Sequence, residues 1–285
     1  MSNIENIKTI AIIGAGTMGS GIAQICAAAG YQTIIYDQQF DALERAKTGI
    51  ISNLDGAIQR GKMTESAKTD LLEKIKFSND FNDLKAEVII EAIIEKLSVK
   101  RELFLALASL NNEDCIFATN TSSIPITQIA YGIPNPERVV GMHFFNPAHI
   151  MKLVEVISGA NTSDTIAKTI FNLATKLGKK AVMVKDAPGF IVNRVARHYY
   201  VEALKALEEN VAEIENIDAL MEATGFKMGP FKLMDLIGVD TNFSVTSSMF
   251  EQFHQDPKFR PSRIQQQKVD AGHWGRKTKK GFYAY

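Results

Sequence analysis

Short apolar runs alternate with longer amphipathic segments through the first two-thirds of the 285-residue chain. In segments such as Leu97–Leu110 and Ile166–Leu177, apolar residues recur three and four positions apart, which predicts helices. The short runs are rich in β-branched residues and predict strands at Thr9–Ile13, Thr33–Tyr36, Val88–Ala92, Ile116–Thr119, Val139–His143, Leu153–Ile157 and Ala181–Val184. Lys76–Phe77 is a further short candidate. Strands that alternate with helices predict a largely parallel sheet covered on both faces.

The pattern changes at Asp186-Ala187-Pro188-Gly189, which is typical of a turn or linker. From Phe190 onward no strand is predicted until the last few residues. The amphipathic segments there predict helices at Phe190–Glu209, Ile214–Thr224, Thr241–Phe253 and Arg263–Val269. We therefore expect an α/β domain over residues 1–186 and an all-helical domain over residues 187–285.

Charge and composition narrow the class of protein. Acidic and basic residues balance at 32 each, so charge gives no reason to expect a nucleic-acid or membrane-surface partner. No apolar run approaches the roughly 20 residues that span a bilayer. Met1–Lys8 is polar and lacks the layout of a secretion signal, so we expect a cytoplasmic protein. Cys26 and Cys115 have no metal-ligand spacing, and buried free thiols in a reducing compartment are the simpler interpretation than a redox role.

A glycine motif follows the first predicted strand and opens a helix predicted at Ser20–Ala29. Gly14 permits a tight turn, Gly16 lets the backbone approach a pyrophosphate, and Gly19 lets the helix pack closely on the strand. The free amides of the helix start would then hold the pyrophosphate. The whole motif reads Gly14, Ala15, Gly16, Thr17, Met18 and Gly19. This order is typical of a doubly wound, Rossmann-like dinucleotide-binding domain.

Asp37 ends the second predicted strand, about 20 residues beyond the glycines, where a carboxylate accepts hydrogen bonds from the adenosine ribose. Such a carboxylate repels a 2′-phosphate, so NAD is favoured over NADP. A glycine-rich loop without a ligand, with Asp37 simply solvated, is the alternative; the loop alone would also fit a flavin.

His143 and Glu155 are the first candidates for catalysis. His143 ends a predicted strand, and an imidazole titrates in the range that suits the removal of a hydroxyl proton. Glu155 interrupts the apolar run Leu153–Ile157, and a carboxylate is costly to bury without a partner. If the two meet, Glu155 fixes the tautomer of His143 and stabilises its protonated form. The alternatives are a core histidine bound to a backbone carbonyl and an edge glutamate that faces water.

Four more polar residues lie near predicted strand ends or in the helical domain: Glu95, Ser122, Asn146 and Asn193. Ser122 is a possible donor to a substrate oxygen, but taken by itself Asn120–Ser123 is more typical of a helix N-cap. Asn193 is an unusual helix residue that needs a hydrogen-bond partner, and a substrate carbonyl is one possibility. No hydrolase serine motif and no metal-ligand spacing accompanies them.

Taken in order, these motifs resemble the short-chain L-3-hydroxyacyl-CoA dehydrogenase family over essentially the whole chain, and specifically its bacterial 3-hydroxybutyryl-CoA dehydrogenases. The segments that carry the resemblance are Gly14–Gly19, Glu91–Glu95, Asn120–Ser123, His143–Pro147, Leu153–Ile157, Asp186–Arg194, Gly229–Phe231 and Gly281–Tyr283. The resemblance implies that an (S)-3-hydroxyacyl-CoA is oxidised to a 3-ketoacyl-CoA by hydride transfer to NAD. It also implies a homodimer formed through the helical domain, which closes over the site.

Residue roles follow from the resemblance position by position. His143 would be the general base and Glu155 its partner, while Ser122 and Asn193 would bind substrate oxygens. The residues expected near NAD are Glu95, Lys100, Ser122, Asn146 and Lys277, with Lys100 also near CoA.

The chain departs from the family pattern at two places. Lys279 stands where relatives often carry glycine after a Lys-Thr pair. Asn53 and Arg60 stand where relatives offer Ser and Lys to CoA, and Arg60 would suit a CoA phosphate.

Two rival functions stay open at this point. One is a dehydrogenase of a hydroxy acid without CoA, built on the same scaffold, which predicts a small cationic pocket for a carboxylate. The other is a non-catalytic NAD-binding structural protein, which should lack His143, Glu155 or Ser122.

Overall fold

The computed structural model describes residues 4–285, which divide into two compact units with the boundary between Asp186 and Ala187. The first unit contains all eight strands found in the described residues, and the second is helical. The strands are β1 (Thr9–Ile13), β2 (Gln32–Tyr36), β3 (Ile75–Ser78), β4 (Val88–Glu91), β5 (Ile116–Thr119), β6 (Val139–Phe144), β7 (Leu153–Ser158) and β8 (Lys180–Lys185). Each predicted strand is present, including the short one around Lys76–Phe77, which lies within β3.

The strands form one sheet in the order β3-β2-β1-β4-β5-β6-β7-β8. Every neighbouring pair in it is parallel except β6 and β7, which run antiparallel. The chain winds outward from β1 through β2 to β3 and then returns to place β4 on the other side of β1. Open α/β sheets bind ligands beyond the carboxyl ends of the strands at such a reversal. The predicted doubly wound α/β fold is therefore confirmed.

Helices cover the sheet and bury its apolar side chains. Those of the first unit are α1 (Thr17–Ala28), α2 (Phe40–Gln59), α3 (Glu65–Leu72), α4 (Leu97–Leu110), α5 (Ile126–Ala130) and α6 (Asp164–Lys176). Ile10, Ile12 and Ile90 of the central strands are fully buried, as is Ile22 of α1. Parallel strands covered on both faces carry such near-continuous apolar runs.

The second unit has its own core, built around Tyr200, Leu204, Phe231 and Met234. Its helices are α7 (Val192–Glu208), α8 (Ile214–Ala223), α9 (Pro230–Ile237), α10 (Val239–Gln252) and α11 (Arg263–Asp270). Four of the five match predicted helices. The pattern did not predict α9, which is only eight residues long and begins with Pro230, directly after a glycine.

The end of the chain is fixed to this second core by a buried carboxylate. Asp235 accepts hydrogen bonds from the backbone amides of Phe282 and Tyr283, both at 2.9 Å. Two isolated β-bridges, Gly275 to Lys280 and Lys280 to Ala284, lie in the same region. The last residues therefore form an ordered part of the unit, in agreement with the weak strand signal at the C-terminus.

Within residues 4–285 no helix is long and apolar enough to cross a membrane. In the same residues, no group of three or more His, Cys, Asp and Glu side chains could hold a metal ion.

Candidate active site

The glycine motif joins β1 to α1 in a turn that larger residues could not form. Gly14 has a φ of +100°, and a Cβ there would lie 2.5 Å from the Ala92 carbonyl oxygen. A Cβ on Gly19 would lie 1.7 Å from the carbonyl oxygen of Gly14. Gly16 is the N-cap of α1 without a side-chain cap, and a Cβ on it would meet nothing within 4 Å. The helix start is therefore open, with its first amides available to an anionic ligand.

Asp37 supports this turn from the end of β2. One carboxylate oxygen accepts the amide of Ala15 at 2.9 Å, and the other accepts the amide of Gln39 at 3.0 Å. A carboxylate has about four acceptor sites, so both oxygens retain lone pairs for ribose hydroxyls. The hydrogen bond to Ala15 was not predicted, since nothing in the spacing shows that the acid also holds the glycine loop.

Two cavities are lined in part by the glycine turn and share Gly16 and Asp37. The first, of about 580 Å³, has mainly apolar walls that include Ile13, Tyr36, Asp37, Phe81, Ile94 and Val99. The second, of about 650 Å³, is more polar, and its lining includes Gly16, Thr17, Arg45, Asn53, Asn146 and His149. An apolar cavity whose lining includes the Asp37 carboxylate and the glycine turn at Gly14 and Gly16 fits the adenosine and pyrophosphate of NAD.

His143 and Glu155 meet across the single antiparallel pairing of the sheet. They are direct cross-strand neighbours on β6 and β7, and Nδ1 of His143 lies 2.8 Å from Oε2 of Glu155. Both are buried, with 4% and 1% of their surface exposed. The carboxylate accepts the Nδ1 proton, so the neutral ring carries its basic lone pair on Nε2. This is the arrangement of a general base oriented by an acid.

Glu95 holds the loop that presents Ser122. Its Oε1 accepts the hydroxyl of Thr121 at 2.6 Å and the amides of Ser122 and Ser123 at 2.8 and 3.1 Å. Burial disfavours the charged form of Glu95, but the Lys100 ammonium and these hydrogen bonds outweigh it and hold the pKa of Glu95 below its ordinary value. Glu95 is thus an ionised group that orders the Ser122 backbone.

Asn120 ties the same loop to β6. Its Oδ1 accepts the amide of Phe144 at 2.8 Å, next to His143 in the chain. Asn120 lies in the segment Asn120–Ser123 that carries the family resemblance, but no role was predicted for it. The structure therefore brings Glu95, Ser122, His143 and Glu155 to one edge of the sheet.

Lys100 lies deeper than its predicted role near NAD and CoA suggests. Only 1% of its surface is exposed, and Nζ donates to Glu91 Oε1 at 2.6 Å and lies 3.1 Å from Glu95 Oε2. Glu91 is fully buried at the end of β4 and was not singled out from the sequence. Glu91 could have been recognised as an acidic residue at the end of an otherwise apolar strand, which is how Asp37 was recognised.

The remaining predicted residues lie elsewhere. Asn146 is exposed and lines the second cavity, and its peptide bond to Pro147 is cis. Arg60 is exposed just beyond the end of α2. In the second unit, Asn193 lies in the first turn of α7, and Lys277 forms an ion pair with Asp240 at 2.6 Å.

The two departures from the family pattern have visible local consequences. Lys279 adopts a left-handed conformation with a φ of 58°, which glycine adopts without the penalty that a side chain brings. Asn53 donates to Gln24 Oε1 at 3.2 Å and also lines the second cavity.

Comparison with known proteins bears on both units of the chain. Residues 9–187 match the family described as 3-hydroxyacyl-CoA dehydrogenase, NAD binding domain, and residues 189–285 match its C-terminal domain. A 3-hydroxyadipyl-CoA dehydrogenase of Escherichia coli K12 is 48% identical over 98% of this chain, which spans 59% of that protein's length. A 3-hydroxybutyryl-CoA dehydrogenase of Clostridioides difficile is 39% identical over 97% of this chain and 99% of its own.

Among solved structures, the (S)-3-hydroxybutyryl-CoA dehydrogenase of Ralstonia eutropha superposes with a TM-score of 0.94. It is 40% identical, and the match covers 98% of this chain and 99% of that one. The likeness therefore extends over both units.

Proposed function

Because the chain belongs to the 3-hydroxyacyl-CoA dehydrogenase family, we propose that it oxidises the 3-hydroxyl of a short (S)-3-hydroxyacyl-CoA with NAD, reversibly. The observation that carries the proposal is the buried His143–Glu155 pair, at 2.8 Å, in the same unit as the glycine turn and Asp37. Binding of NAD alone does not require a histidine oriented by an acid, so the pair favours a catalytic role.

The proposed reaction consists of two transfers, a hydride to NAD and a proton to His143. NAD, when bound, supplies the acceptor for the hydride that leaves C3 of the substrate. His143 Nε2 takes the proton of the 3-hydroxyl, so that its oxygen becomes the oxygen of the ketone. Glu155 stabilises the imidazolium that results. In the reverse direction the protonated His143 gives this proton back to the carbonyl oxygen.

Ser122 and Asn193 are proposed to bind substrate oxygens, and Glu95 supports Ser122 by ordering its backbone amide. The helix start at Gly14–Gly19 and the Asp37 carboxylate are proposed to hold NAD, with Asn146 and Lys277 near it. Lys100 is proposed to support the site by holding the Glu95 carboxylate in place. Its buried ammonium contacts the carboxylates of both Glu91 and Glu95. Arg60 is exposed, and its role toward a CoA phosphate stays a proposal.

The names of the relatives indicate two different acyl groups for the CoA substrate. The E. coli relative is named for a 3-hydroxyadipyl thioester and the C. difficile relative for a 3-hydroxybutyryl thioester. We propose 3-hydroxybutyryl-CoA for this chain, because both the C. difficile relative and the R. eutropha structure are named for that thioester. A chain-length and end-group series in the assay below tests this choice.

The residue 1–186 unit is proposed to bind NAD, and the helical unit to complete the substrate site and form a homodimer. Exposed apolar side chains of the helical unit support the dimer; Val195 and Val211 are each 70% exposed and Leu220 is 65% exposed. Light scattering that gave the monomer mass at micromolar concentration would contradict it. A cytoplasmic location is supported by Cys26 and Cys115, which are buried free thiols, and cell fractionation would test it.

The proposed function is tested by following the loss of NADH absorbance with acetoacetyl-CoA as the substrate. Free acetoacetate in place of the thioester tests the rival dehydrogenase, and NADPH in place of NADH tests the cofactor. We expect rapid turnover only with the thioester and NADH. Binding of NADH without turnover of any CoA thioester would overturn the substrate, and the His143→Gln variant should bind NADH but lose most of kcat.

A further inference from the structure

A chain of polar contacts runs from the core of the sheet to the Ser122 amide, and it begins at Glu91. This residue ends β4 and is fully buried. Its Oε1 accepts Lys100 Nζ at 2.6 Å and the amide of Ile93 at 2.7 Å, and its Oε2 accepts the hydroxyl of Thr119 at 2.6 Å. The carboxylate accepts three hydrogen bonds from protein groups and is fully buried, so Glu91 itself is not placed to bind a substrate.

A buried ion pair of this kind is poorly explained by stability alone. Removal of a carboxylate and an ammonium from water costs several kcal/mol per ion, and an apolar pair of similar size is often as stable or more so. Glu91 and Lys100 have 0% and 1% of their surface exposed. A role of the pair beyond the stability of the core would explain why it is kept.

Lys100 is shared by two carboxylates. Its Nζ lies 2.6 Å from Glu91 Oε1 and 3.1 Å from Glu95 Oε2. The second oxygen of Glu95 accepts the amide of Ser122 at 2.8 Å. The shorter contact is the one to Glu91, so the ammonium is held on the core side and draws less strongly on Glu95.

We infer that Glu91 is a positioning residue for the reaction, which acts through Lys100 and Glu95 on the loop that carries Ser122. The inference rests on the proposed function of Ser122. Without the negative charge of Glu91, Glu95 becomes the sole anionic partner of Lys100 in this cluster. The ammonium then shifts toward Glu95 and pulls its carboxylate away from the Ser122 amide, which displaces the Ser122 hydroxyl.

The sharpest test is a double-mutant cycle between Glu91→Gln and Ser122→Ala, with kcat measured at saturating acetoacetyl-CoA and NADH. We expect Glu91→Gln alone to lower kcat by about 10-fold, within the coupling range of residues that share one network. In the Ser122→Ala background its further effect should be less than about 2-fold, because the group it positions is already gone. Effects that multiply in full, or an unchanged kcat in Glu91→Gln, would overturn the inference.

Glu87→Gln is the matched control. Glu87 directly precedes β4 at the opposite end of the same strand and accepts the amides of Lys8 and Thr9 at 3.0 and 2.7 Å. The substitution has the same chemistry and also removes a charged acceptor from two short hydrogen bonds. Because Glu87 is exposed and Glu91 is fully buried, a thermal melt of both variants measures any difference in stability. The inference predicts that only Glu91→Gln couples to Ser122.

Hydrogen–deuterium exchange gives a readout that needs no substrate. In Glu91→Gln, the peptide that covers residues 120–124 should exchange faster while peptides of β4 keep their protection. If that variant does not fold, Lys100→Gln removes the ammonium from the same chain of contacts and should likewise speed exchange at residues 120–124. Unchanged exchange there in a folded variant would overturn the inference. Turnover by the wild type in the same series shows separately whether the proposed function holds.

Discussion

Replacement of Glu155 with Gln isolates the charge in the pair with His143. The carboxylate lies on β7, 1% exposed, and its Oε2 is 2.8 Å from Nδ1 of His143. Glutamine has nearly the same shape and can still accept the Nδ1 proton through its amide oxygen. The variant therefore keeps the tautomer and the packing of His143 and removes only the negative charge that faces the imidazolium.

The size of the effect follows from the geometry. At an effective dielectric constant of about 20, two unit charges about 4 Å apart attract by about 4 kcal/mol. Each 1.36 kcal/mol corresponds to a factor of ten in rate, so the full attraction is worth about 1000-fold. The retained hydrogen bond recovers part of it, and we expect kcat to fall by about 100- to 1000-fold. Thermal stability should change little, because the lost attraction is offset by the lower cost of burying an amide.

The assay is oxidation of NADH with acetoacetyl-CoA, beside a fluorescence titration of NADH binding and a thermal melt of each variant. The His143→Gln variant and the double variant complete the comparison, since Glu155 should contribute nothing further once His143 is gone. A Glu155→Gln enzyme with near-normal kcat would refute the role of the charge. A drop in kcat that matched a large drop in melting temperature would point to a packing role instead.

Three further predictions concern other charged side chains. Asp37→Ala should lower the ratio of kcat/KM for NADH over NADPH by about 10-fold or more, because hydrogen bonds to a charged acceptor are lost; an unchanged ratio would contradict the ribose role. The pKa of Glu95 lies below the ordinary 4.5, so its ionised form stabilises the fold above that pH and the stabilisation is lost as pH falls through the folded-state pKa. The gap in melting temperature between wild type and Glu95→Gln should therefore be constant near neutral pH and close in acid, and a gap independent of pH would refute this. Lys279→Gly should raise the free energy of unfolding by up to about 1 kcal/mol, as relief of the left-handed backbone exceeds the added chain entropy; urea unfolding measures it, and a loss of stability would contradict it.

All strands of the first unit were predicted, because most of them are short apolar runs, as were the amphipathic helices α1, α4 and α6. The short helices α3 and α5 were not predicted. The predicted ends of Val88–Ala92 and Val139–His143 differ from β4 and β6 by one residue each. The helix α9 was not predicted because the glycine and proline at its start are typical of a turn. Its eight residues also span too few helical turns to show a clear apolar periodicity.

The contacts between polar side chains were harder to predict from the sequence than the helices and strands. Glu91, Lys100 and Glu95 are separated by intervals of four, five and nine positions, yet their contacts depend on how the loop after β4 turns into α4. The resemblance placed Lys100 near the ligands, whereas its burial places it beneath Glu95. A residue known only by its position in a motif can thus be part of a site without lying at its surface.

The one antiparallel pairing in the sheet determines which acid can reach His143. His143 is the fifth residue of β6 and Glu155 the third of β7, and they are opposite each other only because β7 runs back along β6. In a parallel arrangement the third residue of β7 would instead lie beside the early part of β6, away from the carboxyl edge. The direction was in fact readable from the sequence. Only eight residues separate Phe144 from Leu153, whereas a parallel crossover needs about a dozen or more. A short connection between two buried strands therefore predicts the antiparallel direction, which is the condition for His143 near the end of β6 to lie opposite Glu155 in the middle of β7.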